Sequence, residues 1–589
     1  MLTRLRMAGA LLNCCVWLGF AQEDPPSRVA RLNYVSGNVS MKPAESNDWL
    51  AAEVNRPFSS GDYLYTDMDG RAELHVDVAA IRMGPRTSFG FSALTDQAMQ
   101  IKLSDGDMYF RVHNLGPSES IEVDTPNATV SLLRDGSYRF RVDSAGGISF
   151  VVVRQGTAEV NGGGQGITVN PGNSLLLSGV ERPTYDLEQA PKEDEFDSWC
   201  SQRDYHEAHL AATHYVPPTL IGYEDLDDNG SWDAASQYGP VWYPRAVPTG
   251  WAPYRYGHWV WIAPWGWTWV DEERWGFAPF HYGRWVYVNE RWGWCPGPIM
   301  VVQHGYAPPI RPHYAPALVA WVGGAHWGVS VSVGGPPLGW VALGIGELYT
   351  PPYHCSPHYF NNVNVNNTRV VNKVNITNVY KTVYVNKTVY NQTYVHMNSP
   401  NAVVAMQHSA FVSGQPVRQQ AMVLKRDDIQ QMQTAMPPPR ARGEETAHLG
   451  RAVPAPPPPA AVRLTERSQS VPAVRPPAAF TERSQQAPPP VRPADRPAVF
   501  TQRTQQQAPP LPAPVITERS QQPPTVKPPD RPAAFTQRTQ QPAPPPPARP
   551  AMHEYPPHIA ERSQTPPPRP AEHHDAPKHE EHKEHRADK

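Results

Sequence analysis

Residues 29–180 alternate between apolar and polar side chains, as half-buried β-strands do. Over residues 71–78 the even positions are apolar and the odd positions are polar or charged, and the same period of two recurs over residues 138–143. Turn pairs such as Asp69-Gly70 and Asp135-Gly136 separate these runs. The pattern predicts one all-β domain, either a sandwich or a rolled sheet.

Five segments of this region resemble the FecR-type domain. They are residues 30–39 (ARLNYVSGNV), 61–62 (GD), 70–74 (GRAEL), 123–128 (VDTPNA) and 156–160 (GTAEV). The resemblance implies the fold and the compartment of that family. Its signalling members place the domain in the periplasm, behind a membrane helix and a cytoplasmic segment that controls a sigma factor. Because we find neither segment in this sequence, transcriptional signalling is not what we expect of it.

A short connecting helix is predicted over residues 192–213. This segment is charged and free of proline, and Phe196, Trp199 and His206 fall on one helical face. It marks a domain boundary.

Residues 221–360 hold 15 of the 18 tryptophans. The segment at 252–259 (APYRYGHW) is repeated 26 residues later at 278–285 (APFHYGRW), and each copy is followed by a second aromatic strand. We expect two tryptophan-rich β-hairpins that stack on each other, since neither can bury its aromatic face alone.

Two interpretations of these aromatic residues are open. They form the core of a small β domain, or some of them form an exposed platform for sugar rings or proline-rich peptide, because an indole is large, rigid and half polar. The candidate ligand-binding residues are Tyr256, Trp259, Trp267, Tyr282, Trp285 and Trp294.

The region resembles a bacterial domain of unknown function that often follows a FecR-type domain in secreted proteins. That resemblance rests on GPVWYP at 239–244, the two aromatic repeats, GWVALG at 339–344 and PPYH at 351–354, and it implies no activity.

Residues 311–347 contain no charged side chain between Arg311 and Glu347. Paired glycines and prolines interrupt the stretch at spacings far shorter than a membrane, so we expect buried strands and loops there and no transmembrane helix.

Two further segments complete the chain. Residues 361–400 alternate Asn, Val and Thr, which predicts an extended edge strand or stalk. Residues 437–589 repeat a short TERSQ-like phrase between proline runs, a composition that predicts a disordered tail with polyproline character.

The first 21 residues have the pattern of a secretory signal peptide. Arg4 and Arg6 precede an apolar run over residues 7–20, and Ala21 supplies a small residue for cleavage. An uncleaved anchor and a lipoprotein site at Cys14 are alternatives. Cleavage leaves Cys200, Cys295 and Cys355, for which a Cys295–Cys355 bridge and unpaired buried thiols are both open.

Neither the net charge nor the sequence motifs indicate a particular ligand or reaction. The net charge of −3 gives no electrostatic case for nucleic acid or an anionic membrane surface. We find no nucleophile elbow, paired-carboxylate motif or phosphate-binding glycine loop, so we expect no enzyme and no cofactor.

Residues 225–233 resemble the first part of a calcium loop, but Ser236 stands where the bidentate carboxylate belongs, so a solvated acidic turn is favoured over a metal site. The histidines at 573–585 are also better explained as a charged end than as a metal site.

Taken together, these patterns predict a mostly β, exported, periplasmic or extracellular protein that acts as a non-enzymatic envelope interaction or scaffold protein. Its expected partner is an envelope protein or glycan. Carbohydrate or peptidoglycan binding through exposed tryptophans is one alternative, and a sensor component of a FecR-type signalling system is another.

Overall fold

A computed structural model describes residues 23–234, 236–298, 311–323, 336–368, 373–388, 392–435 and 437. The predicted signal peptide and the predicted disordered tail lie outside the described residues, apart from Pro437. The described part is mostly β, as the residue patterns predicted.

The N-terminal domain contains seventeen strands, many of them short. They are β1 Ala30–Ser36, β2 Val39–Lys42, β3 Leu50–Ala51, β4 Pro57–Phe58, β5 Tyr63–Thr66, β6 Arg71–Val76, β7 Ala79–Met83, β8 Ser88–Leu94, β9 Ala98–Val112, β10 Ser120–Asp124, β11 Thr129–Leu132, β12 Gly136–Asp143, β13 Ile148–Gln155, β14 Ala158–Gly162, β15 Gln165–Val169, β16 Asn173–Ser178 and β17 Thr184–Gln189.

The long strand β9 joins two sheets. Its first half pairs with β8 and, in parallel, with β10, while its second half pairs with β7 and β12. One sheet runs β4-β1-β6-β7-β9-β12-β13-β16-β17, and the other runs β3-β2-β5-β8-β9-β10-β11-β14-β15. The strand passes from one sheet to the other at Gly106, where φ is +96° and a Cβ would lie 2.4 Å from Thr87 Cα. Glycine is needed there because an L side chain would be both strained and blocked.

The core of this domain forms as strand alternation dictates. Met99, Ile101 and Leu103 of β9 are fully buried, whereas the intervening Gln100 and Lys102 are half-buried. The apolar face of each strand therefore points between the two sheets.

A connecting helix, α1 Glu195–Glu207, follows β17. Asp194 caps its N-terminus by accepting a hydrogen bond from the Asp197 amide. Phe196 and Cys200 pack against Tyr109 of β9, so the helix lies on the outer face of the first sheet.

The described residues between 230 and 434 form three small sheets. Its strands are β18 Gly230–Asp233, β19 Val241–Pro244, β20 Gly257–Ile262, β21 Gly266–Asp271, β22 Arg284–Val288, β23 Arg291–Cys295, β24 Val319–Gly323, β25 Leu338–Ala342, β26 Val403–Met406 and β27 Gln433–Thr434. The sheets run β18-β19-β23-β22, β20-β21 and β26-β25-β24-β27. The two predicted hairpins are β20-β21 and β22-β23, in which Trp259 lies opposite Trp269 and Trp285 opposite Trp294.

The remaining helices are short. They are α2 Leu226–Asn229, α3 Ala278–His281, α4 Pro357–Asn367, α5 Lys373–Tyr380, α6 His408–Val412, α7 Val417–Gln420 and α8 Arg426–Gln430.

The structure corrects the prediction of an extended strand over residues 361–400. Helices α4 and α5 occupy much of this segment, and a π-helical turn at Lys381–Val385 follows. Ser356 caps α4, and Phe360 and Val363 are buried on one face of it. The Asn side chains alternate with Val in sequence, yet Asn364 is buried and donates hydrogen bonds to the Tyr349 and Phe360 carbonyls. Tertiary burial of these side chains overrides the β preference of the valines.

Candidate functional site

The candidate ligand-binding residues lie in the core of the second domain. Exposed fractions are 1% for Trp259, 2% for Trp267, 1% for Trp285, 0% for Trp294 and 2% for Tyr282, while Tyr256 is half-buried. The structure brings most of them into one aromatic cluster. A ring that is covered on both faces offers no platform to a sugar, so a ligand-binding role for these residues remains a prediction without support from their exposure.

Trp259 lies near the centre of this aromatic cluster. Its ring centroid is 5.4 Å from that of Trp269, 4.7 Å from Trp321, 5.3 Å from Trp340 and 5.7 Å from Phe411. These separations and tilted orientations are those of packed aromatic cores. Phe411 belongs to α6, so the cluster includes residues well beyond the second hairpin.

Charged side chains, rather than exposed indoles, line the boundary between the two domains. Arg31 on β1 is fully buried, and its guanidinium donates to the Glu224 carboxylate at 2.9 Å, to the Asp225 carboxylate at 2.5 Å and to the Arg274 carbonyl. Asn55 donates to the Asp271 and Glu273 carbonyls. Residues 224–274 therefore attach to the first domain through hydrogen bonds that are buried or partly buried.

A second group of charges surrounds Glu73 on β6. Its carboxylate accepts hydrogen bonds from Arg82 at 2.8 Å and from Arg203, and it lies 2.5 Å from His75 Nε2. Arg82 also donates to Asp204 and, at 2.8 Å, to Glu207, both on α1. The connecting helix is thereby tied to the outer face of the sheet.

His75 links the connecting helix to the second domain. Its Nδ1 is 3.1 Å from a Glu224 oxygen and its Nε2 is 3.5 Å from a Glu207 oxygen. Burial alone would lower the pKa of His75, but Glu224, Glu207 and Glu73 outweigh burial and raise that pKa well above its usual value. The pKa of Glu224 is lowered to about 2: burial opposes this shift, and the charges and hydrogen bonds of His75 and Arg31 drive it.

A third group of charges contains two carboxylates of the first domain and Arg311 of the second. Asp77 accepts hydrogen bonds from Arg28 at 2.8 Å and from Arg311, and Glu119 pairs with the same two arginines. Asp24 accepts hydrogen bonds from the amide and the hydroxyl of Ser356, both at 2.6 Å. The segment that leads into β1 thus lies against the second domain.

Glu73, His75 and Glu207 bring their ligand atoms within 4.8 Å of one another, as a metal site would. Arg82 and Arg203 already bond to these carboxylates, and their positive charges oppose a cation. The arrangement is that of an ion-pair network between the first domain and the connecting helix.

The structure also shows the contacts of the calcium-like segment and the state of the three cysteines. Asp225, the first residue of the calcium-like segment, is paired with Arg31 rather than solvated, and Asp227 accepts a hydrogen bond from the Ala212 amide. Cys200, Cys295 and Cys355 are buried free thiols in the structure, so it has no Cys295–Cys355 bridge.

Sequence reasoning missed the interdomain charges. Glu73, His75 and Asp77 occupy the polar positions of an alternating run, and alternation alone predicts for them only a face away from the core. That pattern identifies the outward face but does not say whether water or a second domain covers it. The density of charge on one short strand was the available signal.

The family comparisons agree with this two-domain architecture. The model of the FecR protein family matches residues 62–159. This part of the chain is therefore a FecR domain. Residues 223–347 match a family of unknown function, DUF6600, so the tryptophan-rich region is a DUF6600 domain. We refer below to the FecR domain and the DUF6600 domain.

Two crystal structures of a proposed anti-sigma factor from Parabacteroides distasonis ATCC 8503 are similar to part of the chain. Identities are 15% and 14%, with TM-scores of 0.19 and 0.21. The matches cover 22% and 23% of this chain, and 59% and 64% of those chains, which is less than two thirds of their length. No curated protein matches the chain. Among the described residues, no helix combines the length and apolar character needed to cross a membrane.

Proposed function

We propose that the chain is an exported, non-enzymatic protein of the cell envelope that serves as a binding scaffold. The observation that carries this proposal is the buried charge network that fixes the FecR domain to the DUF6600 domain. The Arg31 guanidinium crosses the boundary to Glu224, and the Arg82 guanidinium bonds to Asp204 and Glu207 of the connecting helix; no part of either arginine side chain is exposed. Two domains held together in this way offer partners surfaces whose relative positions are fixed.

The charged groups at this boundary support a structural role. Glu73, Glu224 and Arg82 are all buried: Arg82 bonds to Glu73, and His75 Nδ1 lies 3.1 Å from a Glu224 oxygen. A catalytic carboxylate needs access to a substrate, whereas these carboxylates are occupied by arginine and histidine.

Export and partner binding are tested together in intact cells. The full chain, with a purification tag, is expressed in a bacterial host beside a control that lacks residues 2–21, and cells are treated with a membrane-permeable cross-linker before fractionation. We expect the full chain in the exported fraction, with an N-terminus created by cleavage after Ala21 and with envelope proteins cross-linked to it. The control should remain in the cytoplasm and lose those adducts. A full chain that stays in the cytoplasm with Met1 intact contradicts export, and an exported chain without adducts contradicts the scaffold role.

The FecR domain also supports a second candidate, a sensor component of a signalling system. Such a component needs a partner that carries the signal across the membrane. The same cross-linking experiment separates the two functions, since the sensor role requires an adduct with a protein that has a membrane helix and a cytoplasmic segment.

A further inference from the structure

Arg284 differs from the other most deeply buried arginines. Arg28, Arg31 and Arg82 have fully buried side chains and pair with carboxylates, as buried charges normally do. Arg284, at the start of β22, is 1% exposed, yet within the described ranges no carboxylate pairs with its guanidinium. Burial of this positive charge lowers the pKa of Arg284 to about 10.

The hydrogen-bond partners of Arg284 are uncharged. Its guanidinium donates to the Glu347 carbonyl at 3.2 and 3.0 Å and to the Gly283 carbonyl at 2.8 Å. The carboxylate of Glu347 is turned to other donors, accepting from the Gly344 and Val395 amides at 2.7 and 2.6 Å. A guanidinium has five N–H groups, so these three bonds leave donor capacity unused, and the Glu347 carboxylate attracts the charge without bonding to it.

Arg284 lines a cavity of about 280 Å³ at the edge of the DUF6600 domain. Its other walls include His214, Tyr238, Cys295, Ile345 and Thr368. Thr368 Oγ1 accepts a hydrogen bond from the Gly346 amide at 2.8 Å. The Thr368 hydroxyl can therefore still donate its own hydrogen. Burial raises the pKa of the Cys295 thiol to about 12, so this wall adds no negative charge at neutral pH.

We propose that this cavity binds a small ligand through a carboxylate or phosphate group, which becomes the counter-ion of Arg284. The planar guanidinium matches the geometry of such oxyanions, and a charge-assisted bond in a desolvated site is among the stronger hydrogen bonds in proteins. Donors line the cavity beside Arg284, and its volume suits a small molecule. The inference is independent of the scaffold role.

The test is isothermal titration calorimetry, in which the full chain is titrated with sodium phosphate and, separately, with sodium acetate. Sodium chloride at matched ionic strength is the blank. We expect saturable one-to-one binding of at least one oxyanion. Preference for phosphate points to a phosphorylated ligand, and preference for acetate to a carboxylic acid. The variant Arg284→Gln should bind about tenfold more weakly or worse, because a hydrogen bond to a charged group contributes about that much.

Two further variants make the result decisive. Arg291→Gln removes an exposed arginine from the neighbouring strand β23 and should leave binding unchanged. Ile345→Trp places a larger side chain at a half-buried wall of the cavity and should abolish binding with Arg284 intact, which decides the matter if Arg284→Gln does not fold. Absence of saturable binding by either probe, or equal binding by wild type and Ile345→Trp, overturns the proposal.

Discussion

The Arg31 guanidinium of the FecR domain lies 2.9 Å from the Glu224 carboxylate of the DUF6600 domain, and no part of the Arg31 side chain is exposed to solvent. The two residues are 193 positions apart in the chain. Bringing charges out of water is costly, and their attraction must offset that cost. Each domain therefore supplies the counter-charge for a buried charge of the other: Glu224 for Arg31, and Arg31 for Glu224.

Replacing Arg31 with Met should lower the free energy of unfolding by about 3–5 kcal/mol, because Glu224 and Asp225 lose a buried counter-charge. Urea denaturation followed by tryptophan fluorescence measures the change. The matched control is Arg71→Met, since Arg71 pairs with Glu195, which is 91% exposed. This control should change stability by less than about 1 kcal/mol. Equal effects of the two substitutions would contradict the role assigned to burial.

The environment of His75 predicts a pH dependence of stability. Its pKa in the folded chain is raised by Glu224, Glu207 and Glu73 above the value of about 6.5 expected in the unfolded chain. The stabilisation is therefore complete below pH 6.5 and is lost as pH rises towards the folded-state pKa, with a slope of up to about 1.4 kcal/mol per pH unit. The pKa of the nearby His113 is lowered to about 4, so folded His113 keeps its charge state in this window.

Comparison with His75→Gln isolates this contribution. Denaturation from pH 6 to pH 9 should show the free energy of unfolding falling more steeply for the wild type than for the variant. Parallel curves would mean that folding does not shift the pKa of His75, which would contradict the role assigned to its three carboxylate neighbours.

Phe411 should be a core residue of the DUF6600 domain, although it lies beyond the residues matched by the family model. Its ring is fully buried and lies 4.5 Å from that of Trp267. Phe411→Ala should cost about 3–5 kcal/mol of stability and shift tryptophan emission to longer wavelength, because it opens a cavity beside several indoles. Val423→Ala, at a side chain that is 96% exposed, is the control and should change neither quantity. An unchanged emission spectrum in Phe411→Ala would place the end of the domain before α6.

Trp259 provides the test of the exposed-platform hypothesis. Its side chain is 1% exposed, so Trp259→Ala should destabilise the protein by about 3–5 kcal/mol. Sedimentation with insoluble peptidoglycan and acrylamide quenching are measured for both proteins under conditions where each is folded. We expect weak quenching of the wild type and no difference in sedimentation. A folded variant of unchanged stability that no longer sediments with peptidoglycan, while the wild type does, would establish the platform.

The β domain and the hairpins were predictable from sequence because their signals are local. Alternation over residues 71–78 and 138–143 and the spacing of the aromatic repeats determine which side chains share a face. The pairing of β20 with β21 and of β22 with β23 follows from that spacing.

The charge network and the helix α4 were not predictable in this way, because their causes are non-local. Glu73 and His75 have the alternation of a solvent-facing strand, and only the connecting helix and the DUF6600 domain packed against that strand turn them into buried partners. The Asn side chains of α4 favour neither state strongly, and the buried contacts of Asn364 with Tyr349 decide the outcome.

Buried charges join the FecR and DUF6600 domains into one body. A specific protease site inserted between Lys192 and Glu193, which are exposed residues before α1, cuts the chain between them. After cleavage, size-exclusion chromatography should show the two fragments eluting together, and the same cut in an Arg31→Met, Arg82→Met variant should let them separate. Separation of the wild-type fragments in native buffer would contradict the account.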